Sequence, residues 1–450
     1  MSAAHETPNN PNDLAPFWMP FTPNKSFKEN PRVLSSAKGM HYFTTDGRNV
    51  LDAAAGLWCC NAGHGREPIV KAIQAQAAEM DFTPSFQFSH PKAFEAAARI
   101  AALAPGDLDH VFFSNSGSEA ADTALKIAIA YHRYNGEGSR TRLIGRVNGY
   151  HGVGFGGISV GGMSGNRKLY GPLLSGTDHL PATYVREKQA FTTGEPEWGA
   201  HLADELENLV KLHDASTIAA VMIEPMAGSG GVVPPPKGYL QRLREICDRH
   251  GILLIFDEVI TGFGRLGHAF AAERYSVTPD MLTFAKGVTS GTVPMGGVIA
   301  RKHVHDVVEG EGETRADHEM RLYHGYTYSA HPLACAAAIA TQDLYRDEGL
   351  FERARSLEPL FANAVMSLKD KAPVDDIRTL GLAAAFDVRP AKDAPGKHGY
   401  DVMAQLFHEH EMMVRLSGDS VCISPALIVT EEEIGIIVEK MSKAISEVAG

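Results

Sequence analysis

The chain of 450 residues is 44% hydrophobic and 21% charged, with 54 acidic against 42 basic side chains and a net charge of −12. That length accommodates two domains and a large core. The acidic balance disfavours nucleic acid or an anionic membrane as a principal partner, since both demand concentrated positive surface.

Met1 to Pro20 lacks the basic start and apolar core of a secretory signal. No apolar run nears the roughly 18 residues of a membrane span. Five cysteines, two of them adjacent at Cys59 and Cys60, argue against a disulfide framework and a CxxC zinc site, and fit a reduced cytoplasmic compartment. Residues 1–60 are rich in proline and asparagine and carry a short β-like piece from Met40 to Val50, turning at Asp46-Gly47. Val111 to Phe113 then reads as a strand and Glu119 to Tyr134 as an alanine-rich helix. Further strands are predicted at Leu143 to Val147, Ala219 to Glu224, Ile252 to Asp257, Met281 to Ala285 and Gly297 to Ala300. Between them, Leu202 to His213 and Gly238 to His250 carry leucine and isoleucine three and four apart, and Gly251 suits a helix stop.

This alternation predicts an α/β fold, a mostly parallel sheet flanked by helices. From about residue 340 the pattern changes to a helix, a β segment from Leu380 to Val388, a loop near 390–399 and further helices. The expected organisation is an N-terminal segment 1–60 belonging to a small α+β domain, a large domain 61–335, and the rest of the small domain in 336–450.

The chemistry starts with Asp257 and Lys286, each closing a buried apolar run. A carboxylate and an amine at the ends of neighbouring strands are what pyridoxal phosphate (PLP) requires. The lysine forms a Schiff base with the aldehyde, and the carboxylate pairs with the pyridinium nitrogen so that the ring withdraws electrons. Taken singly, Asp257 reads as a loop cap and Lys286 as a solvated lysine. Ser116 and Glu119 have capping-box spacing at the start of the alanine-rich helix. The same exposed amides, with Gly117 giving access, would hold a phosphate; a plain helix cap is the alternative. Tyr150, on the turn Asn148 to Gly152, is suited to lie on a pyridine ring or to be simply buried. Glu224 ends a strand, where it either positions groups around the cofactor's phenolic oxygen or merely terminates the strand.

Other motifs point elsewhere. Gly152-x-Gly154-x-x-Gly157 and Gly262-x-Gly264-x-x-Gly267 match a dinucleotide loop, but that loop needs a helix opening from the glycines, and the residues after Gly157 are poor helix formers. Gly157-x-Ser159-x-Gly161 imitates a nucleophile elbow inside the same stretch. His408 and His410 lack helical metal-ligand spacing and read as a solvated helix face, so no metal site is expected.

Taken together, the residues closely resemble the class III, or omega, aminotransferases of the fold type I PLP enzymes. The likeness runs from about residue 15 to the C-terminus. Leu254 to Arg265 with Ala285-Lys286-Gly287 looks like that family's signature, and Ser116 to Ala120, Tyr150 to Gly152 and His324 to Ser329 match its other blocks. Leu57 to Gly65 further resembles the β-alanine–pyruvate subgroup.

The resemblance implies that Lys286 holds PLP, Asp257 pairs with the ring nitrogen, and Gly117 and Ser118, beside Ser116, bind the phosphate. Tyr150 would stack on the ring and Glu224 would lie near it. Thr327 would reach the phosphate of a neighbouring subunit, implying a homodimer or homotetramer. Arg415 would grip the keto acid carboxylate, and Trp58 with Tyr150 would wall the substrate pocket. The implied reaction is a ping-pong transfer of an amino group from an ω-amino acid or amine, β-alanine-like, to pyruvate. An aminomutase or a decarboxylating transaminase would use the same cofactor residues. An NAD-dependent dehydrogenase and a non-catalytic PLP-fold protein are the rivals from other classes.

Overall fold

A computed structural model describes residues 14–314, 316 and 318–450, so the first thirteen residues of the expected N-terminal segment lie outside it. Its centre is a seven-stranded sheet in the order Leu108–Ser114, Gly296–Arg301, Met281–Phe284, Leu253–Asp257, Ile218–Ile223, Arg142–Arg146, Thr177–Leu180. Every neighbouring pair is parallel except those made by Gly296–Arg301, which runs antiparallel to both its neighbours. The three central strands are buried at every position. They have to be, because helices cover both faces and leave no side for polar residues.

The period-two alternation of a strand divides the core between those faces. Leu253 and Ile255 pack with Ala121, Ala124 and Ala128 of the helix Gly117–Tyr134, while Leu254 and Phe256 join Leu240, Leu243 and Ile246 of the helix Tyr239–His250 in the larger cluster. Gly145, within Arg142–Arg146, is where backbone meets backbone: a Cβ there would lie 1.7 Å from the carbonyl oxygen of Val160. Gly145→Ala is therefore expected to cost about 1–3 kcal/mol as the neighbouring helix is pushed off the sheet. Chemical denaturation of the two proteins measures the difference.

The ends of the chain build two smaller sheets. His41–Thr44 and Asn49–Asp52 form the hairpin expected at Asp46-Gly47, with Leu34–Lys38 on its outer edge. Met412–Met413 joins it in parallel, so residues from both termini share one sheet. The last sheet runs Val374–Leu380, Ala383–Val388, Ser420–Ile423, Arg415–Ser417. The single β segment expected from Leu380 to Val388 is therefore wrong: Leu380 ends one strand, and Gly381, at φ 56°, turns the chain into the next. The helix expected over Leu202 to His213 is a 3-10 turn, Ala200–Asp204, followed by the α-helix Glu205–His213.

The helix Pro332–Asp347 packs on the helices Glu67–Glu79 and Pro91–Ala101, and the domain limit expected at residue 335 falls inside it. One side chain ties these parts together. The fully buried Arg265 donates to the carbonyls of Leu382 (3.1 Å) and Pro425 (2.6 Å) and to Asn61 Oδ1 (2.9 Å). Burial pulls its guanidinium down to about 10. Among the described residues, no helix is long and apolar enough to cross a membrane.

Candidate active site

The functional side chains gather at the carboxyl ends of the parallel strands, where an open α/β sheet leaves its crevice. Asp257 is the last residue of Leu253–Asp257 and is buried. Its Oδ1 accepts hydrogen bonds from Val259 N (3.1 Å) and Thr283 Oγ1 (3.1 Å), and its Oδ2 lies 2.8 Å from His151 Nδ1. Three partners on three separate segments fix the carboxylate. The other ring nitrogen of His151 is buried with no hydrogen-bond partner among the described residues.

Lys286 opens the 3-10 turn Lys286–Thr289 just beyond Met281–Phe284. Its φ of 49° is a left-handed conformation that costs a non-glycine residue about 1–3 kcal/mol and persists only where surroundings enforce it. Here two side chains of Pro332–Asp347 do so. Tyr345 Oη donates to the Gly287 carbonyl (2.6 Å) and Gln342 Nε2 to that of Val288 (3.1 Å). Burial lowers the pKa of the Lys286 amine below the ordinary lysine range, against the attraction of Asp257, Cys59 and Glu224.

Gly117, Ser118, Tyr150, Gly152, Glu224, Asp257 and Lys286 line one cavity of about 510 Å³. At one end stands the start of the 18-residue helix Gly117–Tyr134. Ser116 caps that helix by accepting from Glu119 N (3.2 Å), while Glu119 reaches past it to Asn115 N (2.7 Å), so only half of the expected capping box forms. The Ser116 hydroxyl is thus used up locally, and Gly117 and Ser118 are the residues of this loop that line the cavity. Gly152, at φ 85°, lies so close to Ser118 that a Cβ would sit 2.4 Å from its Oγ, and Val153 N donates to that hydroxyl at 3.1 Å. Glu224 accepts from Tyr150 N (2.9 Å) and Gly228 N (3.1 Å), which fixes the tyrosine's turn. Burial raises the pKa of its carboxyl group.

A second cavity of about 980 Å³ adjoins the first, sharing Tyr150, Ile260 and Lys286. Trp58 and Arg415 both line it. Arg415 begins the strand Arg415–Ser417, and its guanidinium has no hydrogen bond or ion pair among the described residues. Thr327 does not line either cavity. It is exposed on the segment His324–Ser329, which docks on the same helix through Tyr326 Oη to the Glu119 carbonyl (3.2 Å) and His324 Nε2 to Thr123 Oγ1 (2.8 Å).

His151, Val259 and Ile260 belong to the site although only their neighbours were singled out from sequence. The signal for His151 was its place beside Tyr150 on a glycine-framed turn.

The competing motifs resolve physically. A short helix, Phe155–Val160, does form across the first glycine motif, contrary to expectation. It ends at Gly161, however, and Gly157 N donates to Asp122 Oδ1 (2.8 Å), so a carboxylate holds the position a pyrophosphate would need. Ser159 is buried, with its Oγ donating to the Phe155 carbonyl (2.5 Å), and is no exposed nucleophile. His408 ends the helix Lys397–His408, and His410 lies beyond it, bonded to Glu447 (2.9 Å), so they do not share a solvated helix face.

The residues present fit PLP. An array of free amides meets a phosphate, a buried oriented carboxylate meets a pyridinium, and an amine of lowered pKa stands between the two cavities.

Comparison with known proteins agrees. The chain matches the family described as aminotransferase class-III over residues 24–445. It is 55% identical to an omega-aminotransferase of Caulobacter vibrioides, over 97% of this chain and 98% of that one. It is 45% identical to a β-alanine–pyruvate aminotransferase of Pseudomonas aeruginosa, over 97% of each. Among solved structures, an (S)-enantioselective omega-transaminase from Thermomicrobium roseum superposes with a TM-score of 0.89 at 34% identity, covering 96% of each chain. A PLP-bound amine transaminase from an uncultivated Pseudomonas species also scores 0.89 at 34% identity, covering 97% of this chain and 100% of that one. The chain belongs to the class-III aminotransferases, which are fold type I PLP enzymes.

Proposed function

We propose that the enzyme moves an amino group from a β-alanine-like ω-amino acid or amine to pyruvate in two half-reactions. The observation that carries this reading is the pairing of the cavities: a lysine–aspartate cavity opens into a larger one walled by Trp58 and holding an unpaired Arg415. The names of two relatives at 45% identity, a β-alanine–pyruvate and an omega-amino acid–pyruvate aminotransferase, support the same donor and acceptor.

Bound PLP supplies an electron-withdrawing ring that disperses the charge left when the substrate carbon loses a proton. Lys286, whose amine burial holds below the ordinary lysine range, would bind the cofactor through its aldehyde and would be the group placed to carry that proton. Asp257 would keep the ring nitrogen protonated, and His151 and Thr283 hold the Asp257 carboxylate in place for that role. Gly117 and Ser118 hold the phosphate with their amides. Tyr150 covers the ring, and Glu224 holds the tyrosine's turn. Arg415 grips the keto acid carboxylate through two parallel hydrogen bonds. Thr327, exposed on its segment, would serve the phosphate site of a second copy, so the enzyme works as a homodimer or homotetramer with shared sites; the unpaired cysteines suit the cytoplasm. The large PLP-binding domain is assigned to residues 61–335 and the small domain to the described part of 1–60 and to 336–450, with the helix Pro332–Asp347 spanning the limit.

Arg415→Leu should lower kcat/KM for pyruvate about 10–100-fold, the worth of one charge-assisted pair. An amine donor without a carboxylate should react within a few-fold of normal in its own half-reaction. Equal losses for both would remove Arg415 from this role.

The direct test is the visible spectrum of the PLP-loaded protein. Adding β-alanine without a keto acid should bleach the yellow band, and pyruvate should restore it. A band indifferent to β-alanine but bleached by arylalkylamines would move the donor class, and a protein that stays colourless with PLP would defeat the reading.

A further inference from the structure

Two thiols stand directly behind the substrate wall. Trp58, Cys59 and Cys60 are consecutive, and the two sulfurs are 3.8 Å apart. A tight turn brings them together. The amides of Cys59 and Cys60 both donate to the Ala55 carbonyl (2.9 and 3.0 Å), and Ala55, Gly56 and Trp58 all have positive φ. Cys60 is buried, whereas Cys59 keeps some accessible surface.

The sulfurs also touch the lysine's turn. A Cβ on Gly291 would meet Cys59 Sγ at 3.0 Å and Cys60 Sγ at 3.1 Å, and Gly291 N donates to the Lys286 carbonyl (3.2 Å). The pair therefore bridges the turn that presents Trp58 and the turn that presents Lys286.

We propose that Cys59 and Cys60 form an oxidation site, at which a peroxide closes a disulfide between adjacent residues and thereby shuts the substrate pocket reversibly. The thiolate of Cys59 attacks one peroxide oxygen, the O–O bond breaks, and the departing hydroxide takes up the proton the Cys59 thiol had released and leaves as water, giving a sulfenic acid. The Cys60 sulfur then attacks the Cys59 sulfur, the S–O bond breaks, and a second water leaves with the Cys60 proton. Two thiols lose two electrons and two protons, and hydrogen peroxide becomes two waters.

The order of attack follows from the surroundings. A hydrogen bond from Cys60, helped by nearby Lys286, pulls the Cys59 thiol down to about 6, with burial and Asp52 opposing. While Cys59 is a thiolate, donating that bond, together with burial, pushes Cys60 above the ordinary thiol range; oxidation of Cys59 removes that acceptor, and Cys60 gives up its proton as it attacks.

Closing the ring forces a change in backbone. Adjacent Cα atoms are about 3.8 Å apart, below the roughly 4.4–6.8 Å of unstrained disulfides. The strain is relieved by twisting the Cys59–Cys60 peptide, which displaces Trp58 and releases Gly291. It also makes the bridge easy to reduce, as strained disulfides are.

The effect on activity rests on the amino transfer proposed above, whereas the bridge itself does not. The test treats the PLP-loaded enzyme with hydrogen peroxide and maps its thiols after digestion without reduction. The peptide holding both cysteines should lose two hydrogens in mass and resist alkylation, with free thiols falling from five to three. Amino transfer should fall about tenfold or more, as a wall residue moves by roughly an ångström. Dithiothreitol should reverse both changes. Cys59→Ser and Cys59→Ala should remain active through the same treatment. Cysteines 59 and 60 still alkylatable after peroxide, a bridged enzyme with undiminished turnover, or Cys59 variants inactivated as fast as the native enzyme would each overturn the proposal.

Discussion

Replacing Lys286 with alanine is expected to cut turnover by ~10⁴-fold or more while leaving the fold intact. The amine is the covalent anchor and the proton carrier at once, so no neighbour substitutes for it. The titratable groups that act on it are Asp257, Cys59, Glu224 and Arg415, and none can bind an aldehyde as lysine does. Stability should hold or rise slightly. The variant removes an amine that burial penalises, and the turn itself is held by Tyr345 and Gln342 rather than by the lysine's side chain.

The same burial sets a pH dependence in the native protein. Only the neutral amine can bind PLP, and the lowered pKa lets that form appear at lower pH than for an ordinary lysine. The rate at which PLP-free protein takes up the cofactor should therefore rise with pH and level off below the usual lysine range. Steady-state turnover and thermal melting of the variant, with uptake rates across pH for the native protein, check each part. A Lys286→Ala variant that still cycles amines with PLP present would show that the role is misassigned.

Asp257→Asn should lower turnover about 10²–10³-fold, as the loss of a single oriented electrostatic partner does elsewhere. The amide matches the carboxylate in shape, and its oxygen can still accept from Val259 N and Thr283. What it cannot do is hold a proton on the ring nitrogen. Its amino group would also face His151 Nδ1 in place of an oxygen, so the imidazole must change tautomer to keep the bond. Lost turnover with cofactor still bound is thus the expected pattern, read from kcat together with a PLP titration. Unchanged turnover would rule out ring protonation by Asp257.

Much of this site was legible because its residues end apolar runs. The strand that ends in Asp257 and the one just before Lys286 are buried throughout and, Asp257 and Thr283 apart, apolar, and so are easy to find without a partner in view. Arg415 was not legible in that way. Its strand, Arg415–Ser417, is three half-buried residues whose pairing with Ser420–Ile423 depends on a turn at Gly418, so the arginine was placed by resemblance alone. Thr177–Leu180 was missed for a related reason: its sequence Thr-Asp-His-Leu buries only its last residue, and parallel pairing to Arg142–Arg146 makes it a strand. The helices Glu67–Glu79 and Pro91–Ala101 each open with proline in the first turn, which begins a helix as readily as it breaks one. Contacts between distant segments, such as His151 with Asp257, have no local signature at all.

Arg265 carries a consequence for how the protein comes apart. Its three acceptors belong to residues 61, 382 and 425, so the front of the chain and two segments near its end converge on one guanidinium from its middle. If any of these strips away first, a buried cation loses a partner, at a cost on the order of 3–5 kcal/mol where the loss is complete. Piecemeal melting from either end is penalised, and the termini are held to the fate of the centre. The protein should lose its small sheets and its great one in a single event.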